Sequence, residues 1–235
     1  MMRIRGIKTL AVLALILGCF GAGAATAEVS YSYLEAEYIN VDTDVSSRIE
    51  DVDTSARLDT DDDYGFRVAG AWEVYRNWHV FGEYSRAKND IRFNGTVLGT
   101  PLNSSGDFDV VRWRAGAGYG YPVNEVLDVY GRLSYDYIEF DSVDLSGVSQ
   151  SLDTDDSGIG AELGLRFKPF EPAELFTYAR YTAVGDVNLG SNNSFDDDTL
   201  FGFGARFSIT EMIGVHAGYE VGKIDTWGVG ARLTF

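Results

Sequence analysis

The chain has 235 residues, 36 acidic and 19 basic side chains and a formal net charge of −17. A chain this acidic lacks the basic surface a nucleic-acid partner needs, so that class of function is excluded. Its one cysteine lies within the first 27 residues, so no disulfide holds the remainder, and no later apolar run is long enough for a membrane helix.

The first 27 residues read as a secretory signal peptide. Arg3, Arg5 and Lys8 give a basic start, an apolar run follows over 9–24, and "ATA" at 25–27 is a small-x-small cleavage site. The apolar run falls short of the ~20 residues a spanning helix requires. Cys19 sits in "ILGC", which is lipobox-like, but Leu17 is bulkier than that pattern prefers and a full cleavage site lies downstream. The expected organisation is therefore 1–27 signal peptide and 28–235 one domain.

From residue 28 onward the hydrophobic period is two. Alternation between turn signals predicts ten strands, over 29–40, 63–73, 77–87, 108–121, 126–138, 157–168, 174–184, 198–209, 213–221 and 226–235. Short connections ("VYRN", "PVNE", "PFEPA", "TEMI") alternate with long ones at about 41–62, 88–107, 139–156 and 185–197. A tenth strand requires one further short connection, "GKIDT" at 222–226. A soluble β-sandwich has no reason to gather its long loops at one end, whereas a barrel threaded through an outer membrane does.

The two faces of these strands differ sharply. On one lie residues such as Leu34, Tyr38, Phe66, Trp72, Trp113, Leu133, Leu163, Phe207 and Val229, and none of its 48 positions is charged in a chain that is 23% charged. A charge facing lipid at the midplane costs ~2–4 kcal/mol, so this is the face lipid demands. The other face carries glycines, Arg67, Arg112, Arg114, Arg132, Arg166, Arg180, Arg206 and Arg232, and the acids Glu35, Glu37, Glu73, Glu83, Asp128, Asp136, Glu162 and Glu220. A sandwich core cannot accept so many ions, but a narrow lumen can pair them. The inward glycines are expected to leave room for arginines to cross the bore. Trp72, Trp78, Tyr119, Tyr121, Phe167 and Phe235 should form a girdle at the short-turn end. Tyr64, Tyr84, Tyr137, Tyr181 and Trp227 should form the outer one.

With its signal peptide, its "SYLEAEY" opening and its closing "GVGARLTF", the chain resembles the small porin-like outer-membrane β-barrel proteins of Gram-negative bacteria. The resemblance implies an all-β fold, an antiparallel up-and-down transmembrane β-barrel in the cell outer membrane. Many small members have eight strands where ten are counted here, so eight and ten both stay open. It also implies that Trp227, Val229, Ala231, Leu233 and Phe235 carry the signal read by the barrel-assembly machinery, in a last strand that closes against the first.

Chemistry is sparse. His79 and His216 each follow a short turn and should face the lumen at the periplasmic end, in salt-bridge networks. No histidine lies near the loop serines and acids, and no G-x-S-x-G occurs, so an enzyme ranks below the other readings. "DTDDDYG" (Asp59, Asp61, Asp63) and "DTDDSG" (Asp153, Asp155) begin like calcium loops. The twelfth positions are Gly70 and Gly164, where an EF-hand needs glutamate. Loop acids could still bridge through divalent cations to lipopolysaccharide phosphates. The expected protein needs no cofactor. Its partners are outer-membrane lipid, lipopolysaccharide and the assembly machinery. Its role is structural or surface-interacting, with a narrow solute channel as the alternative.

Overall fold

The computed structural model describes residues 30–42, 48–51, 54–60, 63–97, 100–141, 144–145, 148–149, 154–184, 187–188, 194–195, 198–222 and 225–235. The signal peptide, Cys19, Asp61 and Asp153 lie outside the described residues. No helix occurs among the described ones. Ten strands form the barrel wall. They are β1 (Tyr33–Asp42), β2 (Asp63–Tyr75), β3 (Trp78–Val97), β4 (Thr100–Asn124), β5 (Leu127–Asp141), β6 (Thr154–Phe170), β7 (Ala173–Thr182), β8 (Asp198–Ser208), β9 (Ile213–Val221) and β10 (Asp225–Thr234). Each pairs antiparallel with its sequence neighbours, and β10 closes on β1 from Tyr33↔Thr234 to Asp42↔Asp225. Closure leaves the wall no unpaired edge to face hydrocarbon.

The short connections have defined turn chemistry. Arg76 and Asn77 both adopt positive φ, 41° and 71°, as a two-residue hairpin of the primed kind requires. The Asn77 amide donates to Glu73 Oε1 at 2.9 Å. At the 209–212 turn, Thr210 Oγ1 accepts from the amides of Met212 and Ile213.

Two sequence expectations change. The connection at 88–107 is largely strand: β3 and β4 stay paired out to Val97↔Thr100, and a strand at Thr54–Thr60 joins the outer half of β3 from Thr60↔Ile91 to Thr54↔Val97. With Arg48–Asp51 beyond it, a four-stranded sheet continues from the wall past the lipid-facing belt. A strand needs only about 9–11 residues to cross a bilayer, and β3 and β4 have 20 and 25. Beyond the hydrocarbon both faces of a sheet can be polar, so the alternating signal stops while the ladder does not. The first strand also begins at Tyr33, not at 29, and residues 30–32 take a separate path into the bore.

The outward face is the one alternation selects. Leu133, Ile159 and Leu163 are 67%, 68% and 63% exposed. Rings pair across strands near both ends: Trp72 with Phe235 at 5.3 Å and Trp78 with Tyr119 at 5.1 Å toward the short turns, Phe66 with Tyr84 and Tyr38 with Trp227 toward the other end. Such belts match the two membrane interfaces.

Candidate functional site

Among the described residues, charged side chains converge in the interior of the barrel. Alternation turns every second residue inward, and most of the described charged residues of the inner face lie in two tiers. The tier nearer the short turns centres on Glu35 (β1) and Glu174 (β7). Arg166 (β6) binds Glu174 through Nε and Nη2, both at 2.9 Å, and Arg206 (β8) bridges Glu174 to Glu35. Arg232 (β10) donates to Glu35 at 3.2 Å.

The second tier centres on Glu162 (β6), which takes Arg114 (β4) at 2.7 Å, Arg180 (β7) at 2.9 Å and Arg132 (β5) at 3.5 Å. Arg114 also reaches Glu83 (β3) at 3.5 Å. Glu83 lies 3.8 Å from Arg67 (β2), and Arg67 binds Glu220 (β9) at 2.6 Å and Glu37 (β1). His216 Nε2 completes the belt on Glu37. The pairing therefore passes from wall to wall and leaves a cavity of about 80 Å³, lined among others by Arg67, Glu83, Arg132 and Arg180. Removing ions from water costs several kcal/mol each, and only pairing this dense offsets it.

The sixteen charged interior residues singled out by sequence all face inward. Twelve meet in these tiers. Arg112 lies one level further out, level with Ser85 and Ile138. Asp136 is buried opposite Arg114, and its Oδ1 has no hydrogen-bond partner. Of the remaining inward acids, Asp128 accepts from the Tyr31 hydroxyl at 3.3 Å and Glu73 holds the 76–77 turn. Both histidines are buried and face the lumen. Trp227, Val229, Ala231, Leu233 and Phe235 form the exposed outward face of the end of the chain.

One expectation about the interior is corrected. Four of the inward glycines accommodate aromatic rings, not arginines. A Cβ at Gly120 would fall on the Tyr31 ring, one at Gly164 on Tyr130, one at Gly202 on Tyr178 and one at Gly204 on Phe176; Gly118 alone of this group meets an arginine, Arg132. All four of these rings in turn support guanidinium groups: Arg206 lies 4.3 Å above Phe176, Arg166 4.9 Å above Tyr31, Arg180 5.0 Å above Tyr178 and Arg132 5.0 Å above Tyr130. Sequence reasoning missed Glu174 and these inner rings. The signal for Glu174 was present, since it precedes outward Leu175.

Among the described residues no group of three or more His, Cys, Asp or Glu could hold a metal. A closed antiparallel barrel with a charge-free belt and an ionic interior defines a membrane-spanning β-barrel protein. The sequence profile of the outer membrane protein beta-barrel domain family matches residues 11–207, and the chain belongs to that family and to the outer membrane. The match stops before β9. No curated protein matches the chain by sequence. Among solved structures the translocator domain of the autotransporter NalP from Neisseria meningitidis is similar at 15% identity and a TM-score of 0.50, over 97% of this chain and 95% of that one. The outer membrane protein OprG of Pseudomonas aeruginosa aligns at 16% identity and 0.46, over 90% and 99%. The attachment invasion locus protein Ail of Yersinia pestis aligns at 16% and 0.39, over 88% and 100%.

Proposed function

We propose that this is an outer-membrane barrel whose bore is closed by its own side chains and which acts by what its acidic outer connections engage. The observation that carries this reading is the continuous belt Glu162–Arg114–Glu83–Arg67–Glu220, which ties β6, β4, β3, β2 and β9 together through the lumen. A conducting bore is more often lined by one-sided rings of charge, and a barrel of this strand number is filled by its own side chains. Purified protein in planar bilayers should show no steady conductance. A stable open channel would overturn the reading in favour of a narrow solute pore, the alternative that the 80 Å³ cavity supports.

The same reading extends to partners. The acidic connections would bind lipopolysaccharide phosphates through divalent cations, and absence of uptake in equilibrium dialysis at about millimolar Ca²⁺ would remove that step. The outward face of β10, from Trp227 to Phe235, would be the segment the assembly machinery reads. Among the described residues of the interior none is positioned as a nucleophile with an activating base, and we assign no enzymatic activity.

A further inference from the structure

Tyr31 and His79 are the largest fully buried side chains among the described residues, and they stack on one another with ring centroids 4.6 Å apart and planes 11° from parallel. Tyr31 does not belong to the wall. Residues 30–32 precede β1 and cross the bore to its far side. The Ser30 carbonyl accepts from Arg166 of β6 at 3.0 Å and Arg232 of β10 at 3.4 Å, and the Tyr31 hydroxyl donates to Asp128 of β5. Ser32 ties the segment to the seam, with Oγ accepting from the Glu73 amide and its carbonyl from the Phe235 amide, both at 3.1 Å. The Tyr31 ring fills the space over Gly120 and packs on Tyr130.

We propose that residues 30–32 form a latch across the short-turn mouth of the barrel, released when His79 takes up a proton. The hydrogen bonds at His79 define its state. Arg132 Nε donates to His79 Nε2 at 3.1 Å, so that nitrogen carries no hydrogen; Nδ1 does, and donates to the Asn77 carbonyl at 3.3 Å. A proton arriving at Nε2 converts the acceptor into a second donor and places a cation against a guanidinium. The charged surroundings do not absorb it. From β2 the facing group is Glu73, whose Oε1 is engaged by the Asn77 amide. From β4 the residue level with it is Gly118, which carries no charge. From β5 come Arg132 and, beyond the Tyr31 ring, Asp128. From β6, Glu162 is shared by three arginines, and Arg166 lies 4.9 Å over the Tyr31 ring, adding a second cation. The imidazolium is driven away from Arg132, and the stack that holds Tyr31 goes with it.

The test is a nitroxide on Ser30→Cys in a Cys19→Ser background, read by electron paramagnetic resonance in the refolded barrel. The expected line shape is restricted at about pH 8 and loses its restricted component on acidification. His79→Phe keeps a flat ring without a titrating group and should stay restricted throughout. Tyr31→Ala should be mobile throughout. Heat-modifiable gel mobility confirms folding of each variant, and His79→Gln replaces His79→Phe if the latter does not fold. A spectrum that does not change with pH overturns the proposal. So does a transition that survives removal of His79, which would assign it to Asp128 or another carboxylate. Conductance is a separate readout, so a barrel that conducts and still shows the His79-dependent transition overturns only the closed-bore reading.

Discussion

Carboxylates that each hold more than one guanidinium organise the interior residue by residue. Glu162 is the extreme case, with three arginines on one buried group. Glu162→Gln would leave Arg114, Arg132 and Arg180 without a shared counter-ion, and breaking a buried pair in this way costs about 3–5 kcal/mol. Urea unfolding in micelles should show a loss of that size, and a loss below about 1 kcal/mol would mean that water, not Glu162, neutralises the tier. The pair Arg86–Asp109 is the internal control. It lies outside the tiers with Arg86 48% exposed, and Asp109→Asn should cost no more than about 1 kcal/mol in the same assay. This part of the site was readable from alternation because each charged residue occupies the face opposite a clean apolar one. Glu174 escaped because it opens its strand directly after a turn, where acids are ordinarily solvated, while here Arg166 and Arg206 close over it.

The strands themselves are specified by two complementary devices. Period-two patterning selects the lipid face, and glycine–aromatic pairs fix how the inner faces fit. Gly202 is level with Tyr178 on β7, and the ring crosses the glycine to place its hydroxyl on Glu220. A ring lying over a strand glycine covers backbone that would otherwise be left unpacked. Gly202→Val should therefore displace the ring and cost about 1–3 kcal/mol by overpacking. Combined with Tyr178→Ala the penalty should shrink, because both changes act on one contact. Additive losses in denaturant unfolding would separate the glycine from the ring. These pairs could not be read from sequence without the register, since the glycine and its ring lie on different strands. The ten strands of the wall were legible because lipid imposes alternation on each of them. The outer halves of β3 and β4 were not, because outside the hydrocarbon the ladder alone holds them and backbone pairing leaves no mark on side-chain polarity.

For the molecule as a whole, the barrel inverts a water-soluble protein: apolar side chains are outside, ions inside, and the closed ladder between them satisfies the backbone. The inversion makes the cost of a charge depend on depth and on face, not on exposure alone. Leu163 is 63% exposed, and in a soluble protein its replacement by arginine would be close to neutral. On this surface it stands mid-strand on β6, between Ile159 and Phe167, with lipid as its solvent. Leu163→Arg should destabilise the folded barrel by about 2–4 kcal/mol, while Phe167→Arg, near the short-turn rim, should cost about 0–1 kcal/mol for its charge beyond the loss of the ring, for which Phe167→Ala is the reference. Neighbouring Glu162, facing the other way, is a charge the fold tolerates because arginines surround it. Folding titrations into bilayers of the same lipid measure Leu163→Arg, Phe167→Arg and Phe167→Ala on one scale. If Leu163→Arg is as stable as the native barrel, its outward face meets water, and the assignment of that belt to hydrocarbon fails with it.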